Sequence, residues 1–356
     1  MTLLDFNLNI ITTHVPFIAI SRYAQDLHDS LKTNSNLYSL VTSKKFYNAG
    51  QIEGARPIFG MFPYFPDGLN LNKILPRFAF SEFKNKYLDY NNGKTINHYT
   101  AQYIRPFQVN RKDVVTIHDI MEVNGTEGTS YLKKRFLIKN LDIYKNFENV
   151  LADTDHVRRQ LIDYGFNGNI TTINLPASNA FHPIADKKKL RRELNLPENA
   201  QLILSVGGIA SRKNIKLLRA LVSHSSDLMK FVRVGPPIEG CYNFRQVDNC
   251  VLNKIYNACD VLIMPSFDEG YGYPIVEAMS CGLPISCSDI PPFRELVDGC
   301  ATFFDPFSEA DAMMSIRESF NCKEEFSRKL LERSENYTLE RFRQRMIEYY
   351  EKLINK

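Results

Sequence analysis

Two glutamates, Glu269 and Glu277, flank a Gly-Tyr-Gly-Tyr-Pro turn in DEGYGYPIVEAM, and two cations, Arg212 and Lys213, stand together in SVGGIASRKN. Each carboxylate oxygen accepts hydrogen bonds from neighbouring hydroxyls, so a pair of carboxylates suits a polyhydroxylated ligand. Arg and Lys beside Gly207 and Gly208 suit a diphosphate, because glycines let the backbone come close to an anion that cations neutralise. Each feature also has a plain structural explanation. Glu277 would complement a helix dipole, and a solvated Arg-Lys pair often opens a helix. His118 ends the apolar run VVTIHDIM, where Asp119 either orients the ring or caps the next turn. His98 in TINHYT has a similar place. Asp153-Thr154-Asp155 has the Asp-x-Asp form that can hold a divalent cation against a diphosphate, a form that is also common by chance.

The elements around these residues are legible. Short β-rich runs, LNIITTH, VVTIHD, NVLADT and ITTINL, alternate with helical stretches, and a second series follows in LILSVGG, FVRVG, VLIMPS and PISCSD. Such alternation belongs to parallel sheets, so the chain reads as two doubly wound α/β halves. The joint is expected in NAFHPIADKKKLRRELNLPENAQ, between Pro183 and Pro197. Pro274, Gly282 and Pro284 predict a short helix, PIVEAMSC, starting after the strand VLIM. Its N-terminus would bring the amides beside Gly270, Tyr271, Gly272 and Tyr273 to the carboxyl edge of a sheet, where an anion is welcome. In LERFRQRMIEYYEKLI, Leu339, Phe342, Met346, Tyr349 or Tyr350 and Leu353 share one helical face that must dock on a core.

Composition narrows the class. A chain of 356 residues is long enough for two or three domains, and a net charge of +4 is too small for a dedicated nucleic-acid binder. The seven cysteines form no Cys-x-x-Cys pair and so predict neither zinc nor a disulfide framework. With no basic leader and no apolar run near the roughly 18 residues of a membrane span, a soluble cytoplasmic protein is expected. Without such a leader, the Asn-x-Thr triplets at Asn124, Asn169 and Asn336 read as chance matches rather than glycosylation sites.

Residues 268–306, DEGYGYPIVEAMSCGLPISCSDIPPFRELVDGCATFFDP, resemble the donor-site signature of retaining GT-B glycosyltransferases of family 4, the glycosyl transferases group 1. VGGIASRKN is similar to that family's nucleotide-diphosphate loop, and HYTAQYIRPFQVNRKDVVTIHDIM to its acceptor-side strand and His-Asp loop. The resemblance implies a GT-B fold, two Rossmann-like domains facing a central cleft. Its domains would be an acceptor domain over 1–182, a nucleotide-sugar domain over 183–338 and a helix over 339–356 that returns to the first. It implies that Arg212 and Lys213 stabilise the diphosphate, that Gly207 and Gly208 approach it, and that Glu277 binds the ribose. Glu269 with Gly270, Tyr271, Gly272 and Tyr273 would hold the donor sugar, and His118 would touch its hydroxymethyl group or the reacting centre. Arg22 and His98 would lie on the acceptor side. Asp153 to Asp155 would open a helix rather than bind metal, so no metal or other cofactor is expected.

Three places depart from the family pattern. Gly208 stands where many members have Arg, Ala19-Ile20-Ser21 precede Arg22 where a glycine-containing loop is usual, and EGCYNFRQVDNCVLN is short where relatives have a helix between strands. The expected partners are a nucleotide-sugar donor, with GDP-mannose the first choice ahead of rhamnosyl and glucosyl donors, and a saccharide or lipid-linked saccharide acceptor. Nucleic acid is not expected. The rival reading is a non-catalytic sugar-nucleotide-binding or scaffold protein; a nicotinamide dehydrogenase is disfavoured by the missing Gly-x-Gly-x-x-Gly. The basic runs KKRFLIKN and KKKLRR suggest peripheral contact with anionic lipid, against the more ordinary reading of solvated helix faces.

Overall fold

The structure is a computed structural model that describes residues 6–13, 19–31, 35–41, 55–59, 94–101, 109–124, 138 and 141–356. The chain divides into two units. The first takes Met1–Val123, Ser130–Leu175 and Phe342–Lys356, and the second takes Asn124–Thr129 and Pro176–Arg341. One passage between them lies at Leu175 and Pro176, ahead of the expected 182/183 boundary.

The first unit is built on strands β1 (Asn7–Thr13), β2 (Ser35–Val41), β3 (Arg56–Phe59), β4 (Thr95–Tyr99), β5 (Val114–Ile117), β6 (Asn149–Ala152) and β7 (Asn169–Thr172). They lie in the order β3-β2-β1-β4-β5-β6-β7 with every neighbouring pair parallel. The chain winds outward from β1 and then returns to its other side at β4, which is the doubly wound plan. A parallel sheet covered on both faces needs apolar residues on both, and all four residues of β5 and of β6 are buried.

A polar ladder crosses this sheet. Asn36 donates to Asn9, Asn9 to Asn97 and Asn97 to Asp113 at 3.3, 3.0 and 2.8 Å. Register makes the ladder, since Asn9 faces Asn36 on one side and Asn97 on the other. Burial pushes the Asp113 carboxyl up to about 6, although bonds from Asn110 and Asn97 pull the other way.

The second unit carries β8 (Gln201–Val206), β9 (Met229–Val234), β10 (Cys241–Phe244), β11 (Val261–Met264), β12 (Ile285–Ser288) and β13 (Thr302–Phe304). Their order, β10-β9-β8-β11-β12-β13, is again doubly wound and parallel throughout, reversing between β8 and β11. Only Gly235–Gly240 joins the parallel neighbours β9 and β10. The segment EGCYNFRQVDNCVLN accordingly holds a strand and the first half of the Asn249–Ala258 helix, which Asp248 caps.

The basic run KKKLRR is only in part a solvated face. It forms the Lys187–Glu193 helix, in which Arg191 is buried and donates to Asp260 at 2.6 Å and to three backbone carbonyls within 3.0 Å. Lys187 and Lys323 reach the same carboxylate. Only Lys188, Lys189 and Arg192 of the run remain exposed. KKRFLIKN lies outside the described residues apart from Ile138.

The closing Leu339–Ile354 helix buries Phe342, Met346, both Tyr349 and Tyr350, and Leu353. Its Arg343 and Tyr350 bond to Ser30 and His98 of the first unit. No helix of the described residues is long and apolar enough to cross a membrane.

Candidate active site

Adjacent parallel strands release their following loops side by side, and pairing of Leu204 with Leu262 sets β8 beside β11 at the point where the strand order reverses. After β8 come Gly207, Gly208 and a short 3-10 turn over Ser211–Lys213. Asn214 then takes a left-handed conformation, φ 50°, and its side chain caps the Ile215–Val222 helix. After β11 comes Pro265 to Gly272. The two loops are stitched together where the Phe267 N–H donates to the Arg212 carbonyl at 2.8 Å.

Glu269 lies between them, only 5% exposed. Arg212 Nη1 donates to one of its oxygens and Lys213 Nζ to the other, both at 2.5 Å, and Ser266 Oγ donates at 2.7 Å. Burial alone would raise the Glu269 pKa, but Lys213 and Arg212 outweigh it and hold the carboxyl below its usual range. Lys213 is itself pulled down by burial, with Glu269 opposing and Arg212 and Arg233 adding to the fall. The sequence places the cations and this acid in separate motifs; the fold makes them one cluster.

The Tyr273–Ser280 helix begins one residue before Pro274. Its N-cap is Gly272 at φ 113°, where a Cβ would come within 2.9 Å of the Phe293 ring. Gly282 N–H returns to Met279 O and Leu283 N–H to Ala278 O, the paired closure of a Schellman motif. Glu277 therefore sits in the second turn rather than the first. It is buried and accepts from the Tyr256 hydroxyl at 2.7 Å. Tyr256, on the Asn249–Ala258 helix, is fully buried against Phe181. The sequence reading missed it, because nothing local to KIYNACD signals a partner in another motif.

Arg233 was missed too. It lies on β9 opposite Ser205 and is 2% exposed. Its guanidinium donates to Ser205 Oγ at 2.8 Å and to the carbonyls of Gly207 and Gly208 at 2.5 and 2.9 Å. An Arg in FVRVG was the available signal, being a charge inside an otherwise apolar strand.

In the first unit, His118 follows β5 and Asp153 follows β6, neighbours because Ile117 pairs with Ala152. His118 Nδ1 is 2.7 Å from Asp153 Oδ2 and Nε2 is 2.8 Å from the Thr100 carbonyl. Both partners are acceptors, so both ring nitrogens donate and the ring is an imidazolium. Burial would lower its pKa, but the charge and hydrogen bond of Asp153 raise it above the ordinary value. Both ring nitrogens are thus engaged by Asp153 and Thr100.

Asp119 does not orient this ring; its Oδ1 accepts from the Met121 N–H and caps the next turn. Thr154 caps the Asp155–Asp163 helix, while Asp155 binds Thr172 and Arg158.

The acceptor-side expectation for His98 needs correcting. The residue is 0% exposed, with Nδ1 on the Tyr350 hydroxyl and Nε2 on Thr116, and burial followed by the His118 charge lowers its pKa to about 3. It is a neutral core histidine, closed to an acceptor. Arg22 lies in the first turn of the Ala19–Ser30 helix, 3.8 Å from Asp26, and the residues just before that helix are outside the described set.

Residues 238–338 match the family described as glycosyl transferases group 1. The O-antigen chain mannosyltransferase B of Escherichia coli is 42% identical over 62 residues, 17% of this chain and 16% of that protein. The first curated relatives are matched over only 16% to 48% of their own lengths. Among solved structures, a sucrose-phosphate synthase from Thermosynechococcus elongatus superposes with a TM-score of 0.80 at 18% identity, covering 98% of this chain and 99% of that one. Anabaena HepE in complex with UDP-glucose gives 0.75 at 14% identity, covering 98% and 100%. Residues 238–338 thus resemble the group 1 glycosyl transferases, and the two parallel sheets have the GT-B fold.

Proposed function

We propose that the protein is a glycosyltransferase that takes a hexose or deoxyhexose from a nucleotide sugar and transfers it, with retained anomeric configuration, to a saccharide or lipid-linked saccharide. The observation that carries this reading is the convergence of Arg212 and Lys213 on Glu269 at the strand-order reversal of the second sheet. The two cations stand at the place where doubly wound sheets take phosphorylated ligands. The likeness to HepE in complex with UDP-glucose supports a nucleotide-sugar donor. The O-antigen mannosyltransferase alignment supports mannose, delivered as GDP-mannose, as the first sugar to test.

Breaking the bond from the sugar to the diphosphate builds negative charge on the leaving group and positive charge on the sugar. Cations fixed against the phosphates lower that barrier because they need no reorganisation as the charge develops. Arg212 and Lys213 do this work. Glu277, held by Tyr256, accepts from the ribose hydroxyls, and Glu269 with the Gly270–Tyr273 turn orients the sugar. His118 contributes a fixed positive charge rather than a hydrogen bond. No step draws on a metal or another cofactor.

Assays of donor hydrolysis and transfer on wild type, Lys213→Ala and Glu269→Ala test the reading. Lys213→Ala is expected to lower kcat/KM about a hundredfold, the scale of losing one preorganised donor to developing charge. Equal behaviour of all three proteins would instead favour a non-catalytic sugar-nucleotide binder.

A further inference from the structure

Arg233 is a buried cation without a counter-charge. Its four hydrogen bonds go to one hydroxyl and three backbone carbonyls, those of Gly207, Gly208 and Pro236, and among the described residues no carboxylate pairs with it. A guanidinium stays protonated at neutral pH, and removing one from water without an opposite charge is costly. Carbonyl dipoles offset part of that cost; an anion nearby would offset more.

The carbonyls it holds fix where the amides point. In a trans peptide the C=O and the following N–H lie in one plane and point in opposite directions, and the described chain has no cis peptide. Drawing the Gly207 and Gly208 carbonyls onto Arg233 therefore turns the N–H groups of Gly208 and Ile209 away from it. Neither N–H has a protein acceptor among the described residues. The loop itself is open: a Cβ at Gly208 would meet nothing within 4 Å, and Ile209 is 62% exposed. Gly235 closes the opposite side, because a Cβ there would reach within 2.2 Å of the Gly207 carbonyl. Successive outward amides make an anion cradle.

We propose that Arg233 is the positioning residue for the donor's diphosphate: it clamps the Gly207 and Gly208 carbonyls so that two amides face the phosphates, and it supplies positive charge from behind the loop. The inference rests on the nucleotide-sugar reading above. It also accounts for a glycine at position 208, since the cation that this position does not carry is delivered from β9.

Isothermal titration of inorganic pyrophosphate, UDP, GDP and the bare nucleosides, at one ionic strength, tests it. Arg233→Gln should bind pyrophosphate and the preferred nucleoside diphosphate about tenfold or more weakly, the scale of losing charged hydrogen bonds, with nucleoside affinity unchanged. Arg233→Lys, which keeps the charge and loses the fork, should fall between. Wild-type affinity for pyrophosphate in Arg233→Gln overturns the inference and leaves the donor reading standing, whereas a wild-type protein that binds neither UDP nor GDP overturns both. Should Arg233→Gln fail to fold, the Arg212→Gln/Lys213→Gln double variant decides. Pyrophosphate should still raise its melting temperature, because Arg233 and the two amides remain, and a folded double variant with no shift contradicts the proposal.

Discussion

His118 and Asp153 show how a residue's role depends on a neighbour that the sequence does not place beside it. Each follows an apolar run, VVTI and NVLA, and each run is legible as a strand. That the two strands are neighbours in register, so that Asp153 rather than Asp119 meets the ring, is a property of the pairing. Glu269 and Tyr256 were obscured in the same way, their partners lying in other motifs. The imidazolium has a titratable consequence. A folded pKa above the ordinary value contributes stability that is complete below about pH 6.5 and is lost as pH rises through the folded pKa. In an NMR titration the His118 ring should have its midpoint above the usual histidine value, and Asp153→Asn should lower that midpoint. A variant that titrates at the wild-type pH would show that the carboxylate is not what charges the ring.

Among elements, the short Tyr273–Ser280 helix was the most legible, because Pro274, Gly282 and Pro284 punctuate it chemically and not only by hydropathy. Gly282 sits at φ 65°, and a Cβ there would lie 2.9 Å from Ser327 Oγ and 3.1 Å from Leu331 Cγ. Gly282→Ala should therefore cost about 1–2 kcal/mol for the left-handed backbone, more if Leu331 cannot move, read as a lower urea midpoint. Strands β2, β3, β4, β10 and β13 escaped the sequence reading. β13 has three residues and β10 is an exposed edge, too little for a period of two to register. β4 hides behind Asn97 and His98, polar side chains whose partners lie on neighbouring strands or on the closing helix. The Asn ladder ending at Asp113 has its own signature. A folded pKa of about 6 against 3.8 means that the stability linked to this proton is present below about pH 4 and lost as pH rises to about 6. Asp113→Asn should keep the ladder and remove that fall, so the stability of the variant relative to wild type should grow between pH 4.5 and pH 7. A constant difference across that range would contradict the assignment.

At the scale of the whole molecule, the β/α rhythm was enough to read two doubly wound halves, since parallel strands cannot be joined without crossovers that usually run through a helix. The closing helix was legible by its periodicity, but its destination was not. The fold sets Tyr350 on His98 and Phe342 against Tyr23, which is why that histidine became core rather than site. The two charge clusters of the second unit divide its sheet by function. Asp260 gathers Lys187, Arg191 and Lys323 into a structural knot just ahead of β11, while Arg212, Lys213 and Arg233 gather at the carboxyl ends of β8, β9 and β11, where Arg212 and Lys213 meet Glu269. The second cluster is the one at the carboxyl edge, where doubly wound sheets take phosphorylated ligands. Thermal unfolding of wild type and Lys213→Ala across a panel of nucleotide sugars tests that claim most directly, because a ligand of the native state stabilises it by mass action. One nucleotide sugar should raise the wild-type melting temperature well above the others, and Lys213→Ala should lose most of that rise; a panel with no effect, or a rise that the variant keeps in full, would contradict it.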